Sequence, residues 1–252
     1  MRFKIGIIGI FLILVNILNA KVIAKIPEAS GICFIKKSNS LVVVNDEGWI
    51  YELSIDGKIK RKKKLGKYDL EGVDYDKKSK KLVIVVEGKE SLLFVNLDNF
   101  KIEKEIKIKR SYKKINILKK SKGNGLEAIA MEDGDIYVSN QSKIKDKKKL
   151  KENASAILRV SGINKKKMKI KEVFNHGYID IAGITFHNGF LYMVSDTKNL
   201  LIKYSLEKNK TISKIKLPSS AQEGICFDKN GYMYIADDNG QILRYKEKNY
   251  KL

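Results

Sequence analysis

Runs of four to seven apolar residues, rich in Val, Ile, Leu, Tyr and Phe, recur along this chain and are broken by short clusters of Asp, Asn, Gly and Lys. That punctuation predicts β-strands and turns, because branched and aromatic side chains suit a pleated surface and small polar residues suit tight reversals. No long amphipathic helical pattern appears after the first twenty residues. Five segments align without gaps: Glu28-Ala-Ser-Gly-Ile-Cys-Phe34, Asp69-Leu-Glu-Gly-Val-Asp-Tyr75, Gly125-Leu-Glu-Ala-Ile-Ala-Met131, Asp180-Ile-Ala-Gly-Ile-Thr-Phe186 and Ala221-Gln-Glu-Gly-Ile-Cys-Phe227.

Each segment opens a module. A second apolar run follows it and ends in polar or acidic residues, as in Leu41 to Glu47, Leu82 to Glu87, Ile136 to Gln141, Leu191 to Asp196 and Tyr232 to Asp238. A third run comes next, and four modules add a fourth, lysine-rich one. The pivot residues Gly31, Gly72, Ala128, Gly183 and Gly224 stand 41, 56, 55 and 41 residues apart, the longer intervals carrying insertions near residues 108 to 124 and 141 to 155.

A four-stranded antiparallel unit repeated around an axis is a propeller blade. The pattern therefore predicts an all-β, five-bladed β-propeller over residues 21–252. The last module lacks a fourth strand after Tyr245, and residues 22 to 27 stand just before the first module. The N-terminal strand is expected to join the last blade and close the ring, leaving no open edge there.

Residues 1–20 have a different character. Arg2 and Lys4 precede a continuous apolar stretch from Ile5 to Val15. This is the layout of a secretory signal peptide, shorter than the roughly 20 residues that span a bilayer, with a retained membrane anchor as the alternative. The expectation is an exported protein of the periplasm or cell envelope, monomeric, with peripheral or anchored membrane association possible.

Composition adds 43% hydrophobic residues, enough for a real core, and 51 Lys and Arg against 29 Asp and Glu, a formal charge of +22. Such a field attracts anionic surfaces in general. No helical reading element or aromatic platform accompanies it, so a specific nucleic-acid partner is not expected. Lysine on outer strands has the ordinary task of keeping exposed sheet edges from pairing.

The acids gather elsewhere. In an antiparallel blade the start of strand one and the end of strand two lie at the same end. Glu28, Asp69, Glu71, Glu127, Asp180 and Glu223 stand at strand-one starts, and Asp46, Glu47, Glu87, Asn140, Asp196, Asp237 and Asp238 at strand-two ends. Strand one is innermost, so these groups converge on one mouth of the channel. Two carboxylates about 6 Å apart repel by on the order of 3 kcal/mol at an effective dielectric near 20. A hard cation such as Ca²⁺ relieves that repulsion and accepts six to eight oxygens, whereas zinc and copper favour His and Cys.

Glu71, Glu127 and Glu223 share one aligned position and are the expected metal ligands. Glu28, Glu87, Asn140, Asp180, Asp196 and Asp237 are possible additional ones. Hydrogen bonds to a neighbouring blade's backbone, or pairing with lysine, is the competing role for any single acid.

Cys33 and Cys226 occupy equivalent positions in the first and last modules, where side chains point in the same rotational sense. Two buried free thiols are expected rather than a disulfide. His176 stands four residues before Asp180 on the acidic side, His187 is expected to be exposed at the opposite end, and Trp49 is expected to pack between blades. Nucleophile-elbow, Walker and dinucleotide motifs are missing from the sequence.

At the five module starts the sequence resembles the SdiA-regulated (YjiK-like) family of bacterial envelope proteins. The resemblance rests on the ordered series Glu28-x-Ser-Gly31, Asp69-x-Glu-Gly72, Leu126-Glu127, Asp180-x-Ala-Gly183 and Gln222-Glu-Gly224, with Val44-Asn-Asp-Glu47 and Ile50-Tyr-Glu-Leu-Ser-Ile-Asp-Gly57 in support. It departs at Ala128 and Ala182, where the family carries glycine and serine. It implies a five-bladed propeller related to NHL-repeat proteins, with a calcium site at Glu71, Glu127 and Glu223 and no established activity. The functional expectation is a noncatalytic calcium-binding or partner- or ligand-binding propeller working through its acidic face. The alternative is a Ca²⁺-dependent hydrolase of lactones, esters or phosphoesters.

Overall fold

Period-two alternation and β-branched runs give strands throughout the described residues, which in the computed structural model are 20–118, 125–145, 150–247 and 250. The leader, residues 1–19, and parts of both insertions lie outside them. The chain opens with β1 (Lys21–Lys25). The first blade is then β2 (Ala29–Ile35), β3 (Ser40–Asn45), β4 (Trp49–Ser54) and β5 (Ile59–Lys64). The second is β6 (Leu70–Asp76), β7 (Lys81–Val86), β8 (Ser91–Asn96) and β9 (Ile102–Ile108).

A short hairpin of β10 (Ser111–Tyr112) and β11 (Ile115–Asn116) fills the first insertion. The third blade follows as β12 (Gly125–Glu132), β13 (Asp135–Gln141), β14 (Ala156–Ser161) and β15 (Lys167–Phe174). The fourth comprises β16 (Ile181–His187), β17 (Phe190–Ser195), β18 (Leu200–Ser205) and β19 (Lys210–Lys216). The last has β20 (Gln222–Phe227), β21 (Met233–Asp237) and β22 (Gln241–Tyr245). Its fourth strand is β1, paired antiparallel with β22 from Lys21↔Arg244 to Lys25↔Gln241. The expected closure by the N-terminal strand is present.

The core sits between blades. Five apolar clusters occur, each made by two neighbours: Val42 and Ile50 meet Leu82 and Ile84, Phe94 meets Leu158, Ile157 meets Ile202, Val194 meets Ile235, and Tyr234 meets Leu53. Inner strands β2, β6, β12, β16 and β20 contact one another in a closed cycle. Outer strands are polar, as β5 with the sequence IKRKKK shows. Blades two and three also touch at their rims, where Lys167 and Met168 of β15 pair in parallel with Lys107 and Ile108 of β9. Trp49 packs against the cluster between the last and first blades, as expected.

Every inner strand carries a β-bulge at the aligned position. The register slips between Ala29 and Gly31, Leu70 and Val73, Leu126 and Ile129, Ile181 and Gly183, and Gln222 and Gly224. The glycines beside the bulges are needed because the next blade's backbone is already there. A Cβ on Gly31 would lie 2.1 Å from the Glu71 carbonyl oxygen, one on Gly183 2.4 Å from that of Glu223, and one on Gly224 2.7 Å from that of Ser30.

Gly31→Ala is expected to destabilise the protein by about 2–4 kcal/mol, since backbone cannot move aside as a side chain can. Ala128→Gly, at the same aligned position, should cost only about 1 kcal/mol or less. Urea unfolding of the two variants checks this, and equal costs would show that the close approach is not the constraint.

Candidate metal centre at the channel mouth

A β-bulge turns one residue out of the ladder and re-aims its side chain. The residues presented in this way are Ser30, Glu71, Glu127, Ala182 and Glu223, one per blade. Glu71 and Glu127 are buried, and Glu223 is half-buried. The three glutamates chosen from the sequence therefore share one structural device and one level of the channel.

Around them stand the groups at the strand-two ends. Backbone hydrogen bonds fix this collar: Asp46 N–H donates to the Glu28 carbonyl, Glu87 to Asp69, Asp196 to Asp180 and Asp238 to Ala221, all at 3.0–3.3 Å. Asp46, Asp69 and Glu71 gather with one carboxylate oxygen of each within 4.8 Å of the others, and Glu71 also shares a hydrogen bond with Glu127, as Asp69 does with Glu87. Asp46 also accepts a short hydrogen bond from the Ser30 hydroxyl.

Electrostatics confirm the convergence. Burial, followed by the charges of Glu127, Asp46, Glu223 and Asp69, holds the Glu71 carboxyl well above the usual range. Burial with Glu87 and Glu223 does the same to Glu127, and burial with Asp196, Asp238 and Asp180 to Glu223. Asp46 and Asp196 are each pushed up to about 6, chiefly by burial. Asp69 and Glu87 are raised as well, again mainly by burial. Among the described residues no lysine or arginine forms an ion pair with any of these acids.

The remaining sequence-predicted groups divide. Asp180 is buried, accepts the Thr197 N–H at 3.0 Å and adds its charge to Glu223 and Asp196. Glu28 is exposed and contributes its carbonyl to the collar. Asn140 and Asp237 occupy the preceding position on strand two, and their contacts are with loops. Asn140 donates to the Ala154 carbonyl at 2.7 Å, while Asp237 accepts from Ser220 and from Asn239 N–H. Their neighbours Asp46, Asp196 and Asp238 face the mouth instead.

Asp46 and Asp69 stand close to Glu71, whereas the sequence pattern marks them only as acids of the mouth and not as ligands. Asp69 precedes β6 and Glu71 lies at its bulge, so simple strand alternation in the sequence does not show that the two come together. The two histidines stand apart from the acidic mouth, and one of them departs from expectation. His176 is buried, accepts the Tyr178 N–H at Nδ1, and is pushed down to about 3 by burial, so it is a neutral ring away from the acids. His187, expected to be exposed, is half-buried because its ring stacks on Phe227 at 4.2 Å. Cys33 and Cys226 are buried free thiols.

The family described as SdiA-regulated matches the sequence over residues 15–240. No curated protein matches it. Among solved structures the fold is similar to glutaminyl cyclase of Myxococcus xanthus, with a TM-score of 0.57 and 12% identity over 90% of this chain and 94% of that one. It is similar to a luciferin-regenerating enzyme at a TM-score of 0.55 and 13% identity, covering 90% and 75%. A gluconolactonase of Xanthomonas campestris gives 0.53 and 14%, covering 88% and 76%. At these identities the likeness is one of fold.

The raised carboxyls carry a pH signature. Each keeps its proton to a higher pH when folded than when unfolded, so between the unfolded value and the folded one the native state binds more protons and stability falls as pH rises. For Asp46 and Asp196 that window runs from 3.8 to about 6. In chelator, the melting temperature should fall as pH rises from about 4 through 6. Glu127→Gln should raise it near neutral pH and matter little near pH 4. Calorimetric scans across pH check this, and a Gln variant that is less stable at neutral pH would contradict it.

Proposed function

Because the chain belongs to the SdiA-regulated family, and because its bulged glutamates meet where no lysine or arginine of the described residues pairs with them, we propose that it is a noncatalytic propeller that binds Ca²⁺ at the channel mouth. The observation that carries the reading is the trio of Asp46, Asp69 and Glu71. Two oxygens each about 2.4 Å from a single calcium ion are at most about 4.8 Å apart. The trio's oxygens lie within 4.8 Å of one another, so each pair is within the reach of one ion and a small closing movement of the three side chains would bring them around it. The donor set is hard and all-oxygen, which suits Ca²⁺ and not zinc or copper.

Glu71 would bind the ion directly with Asp46 and Asp69. Glu127 and Glu223, which feel its neighbours' charge, would complete the shell or hold water to it. Binding a dication offsets the repulsion that otherwise keeps these carboxyls protonated. The ion would lock together residues of the first and second blades, and through Glu127 and Glu223 the third and last. The acidic face is then a rigid platform for a protein or small-molecule partner. The leader supports a place in the bacterial periplasm or cell envelope, with the protein released or held at the membrane.

A second reading, a Ca²⁺-dependent hydrolase, rests on the surplus carboxyls Glu127 and Glu223, which exceed the tight trio and hold exchangeable protons. Solved propellers named as a gluconolactonase and a glutaminyl cyclase share the fold and leave this reading open to experiment. Binding is preferred because no histidine reaches the mouth and no nucleophile motif is present.

At a hundred-fold excess over its dissociation constant, Ca²⁺ should stabilise the protein by about 2.7 kcal/mol. Glu71→Gln, and the triple change of Glu71, Glu127 and Glu223 to Gln, should abolish that gain, as followed by thermal unfolding and calorimetric titration. An undiminished response in the triple variant would remove the site from the mouth. Calcium-dependent turnover of a lactone, aryl ester or phosphoester that disappears in Glu71→Gln would replace the binding reading with the catalytic one.

A further inference from the structure

At the end of the channel opposite the acids the inner strands of all five blades surround a cavity of about 820 Å³. The repeat builds it in tiers. Ile32, Val73, Ile129, Ile184 and Ile225, each the residue after a pivot, form its floor and are at most 3% exposed. Two residues further along each strand come Phe34, Tyr75, Met131, Phe186 and Phe227, which form the wall. The first four of these are only partly buried. Such large apolar side chains, left partly exposed in a concave site of this size, mark a ligand pocket more than an ordinary surface.

The rim has the opposite character to the far mouth. Lys36, Lys37, Lys77, Lys80 and Lys229 stand around it. None of the five joins an ion pair among the described residues. Two of the acids nearby are already engaged. Asp74 accepts the N–H groups of Tyr75 and Met131, both at 2.7 Å, which staples the second blade to the third. Asp228 accepts the N–H groups of Asn230 and Tyr232 and the Tyr234 hydroxyl. Glu132 is exposed, so the five lysines outnumber the carboxylates that line this cavity.

We propose that this cavity binds a small apolar organic anion, its hydrocarbon body against the ring formed by Phe34, Tyr75, Met131, Phe186 and Phe227 and its carboxylate among the rim lysines. Removing the body from water supplies affinity in proportion to the apolar area covered. The unpaired ammonium groups speed the encounter and orient the ligand head outward. His187 adds a flat face: stacked on Phe227, it has its pKa held down mainly by burial and presents an uncharged ring at neutral pH. The buried floor lies between this cavity and the carboxylates, so the anion enters and leaves from the lysine side.

The probe is 1-anilinonaphthalene-8-sulfonate, an aromatic anion whose fluorescence rises in apolar surroundings. The folded protein should take up one molecule per chain, saturably. Both 2-naphthoate and decanoate are then tested as competitors: displacement by the first identifies an aromatic carboxylate site, by the second an acyl one, and by both a site reading the shared chemistry. Methyl 2-naphthoate, which lacks the charge, should compete at least about tenfold less well, a difference of about 1.4 kcal/mol. Replacing Lys36, Lys37 and Lys229 together by Gln should weaken the probe about tenfold without affecting folding, because these side chains make no ion pair. Glu71→Gln, at the other end, should leave the probe's affinity unchanged. Uptake that does not saturate, displacement by neither carboxylate, undiminished affinity in the lysine variant, or loss of binding in Glu71→Gln would each overturn the proposal.

Discussion

Around the channel axis the inner strands run so close that the space a methyl group would fill at residues 31, 72, 183 and 224 is already taken by backbone of the next blade. Backbone cannot yield as a side chain can, so this spacing dictates residue type at the pivots and fixes how far each blade can lean on its neighbour. The bulge beside each pivot follows from the same crowding. It lets the strand enter the ring at full width and then narrow, and it turns one side chain per blade out of the ladder. Where that side chain is glutamate, as at Glu71, Glu127 and Glu223, the geometry that closes the ring also gathers negative charge.

The two ends of the channel therefore carry opposite electrostatics within one strongly basic chain. Lysines crowd the outer strands and the lower rim, yet none is paired by geometry with the carboxylates at the mouth among the described residues. Those carboxylates sit in a partly desolvated collar where each raises its neighbours' affinity for protons. Apolar residues at the level of Ile32 and Ile129 lie between the ends. Such a channel offers two distinct environments rather than one through-passage.

Much of the fold was legible because the repeat is gap-free where it matters. The five module starts, the strand order within each module and the closing role of residues 22 to 27, found as Lys21–Lys25, could all be read from apolar runs and their spacing. The site was legible to the level of the glutamates, since Glu71, Glu127 and Glu223 share an aligned position. Finer detail was hidden for a physical reason: a one-residue step along strand two decides whether a side chain faces the mouth or a loop. Asp46 and Asp237 look alike in sequence, yet one joins the trio and the other ties a turn through Ser220 and Asn239. The lower cavity is not legible in the sequence, because its wall residues Phe34, Tyr75, Met131, Phe186 and Phe227 read as ordinary strand residues and line it only once the five blades meet around the axis.

The pairing of Lys21–Lys25 with Gln241–Tyr245 joins segments more than two hundred positions apart. Contacts so distant along the chain form late, after the loop between them has been drawn in. The last blade supplies only three strands of its own and takes its fourth, Lys21–Lys25, from the other end of the described chain. Until that strand is in place, the cluster that holds Tyr234 and Leu53 lacks the cover of Ile23 and Ala24. The final zipping of one short strand is what converts a stack of sheets into a ring.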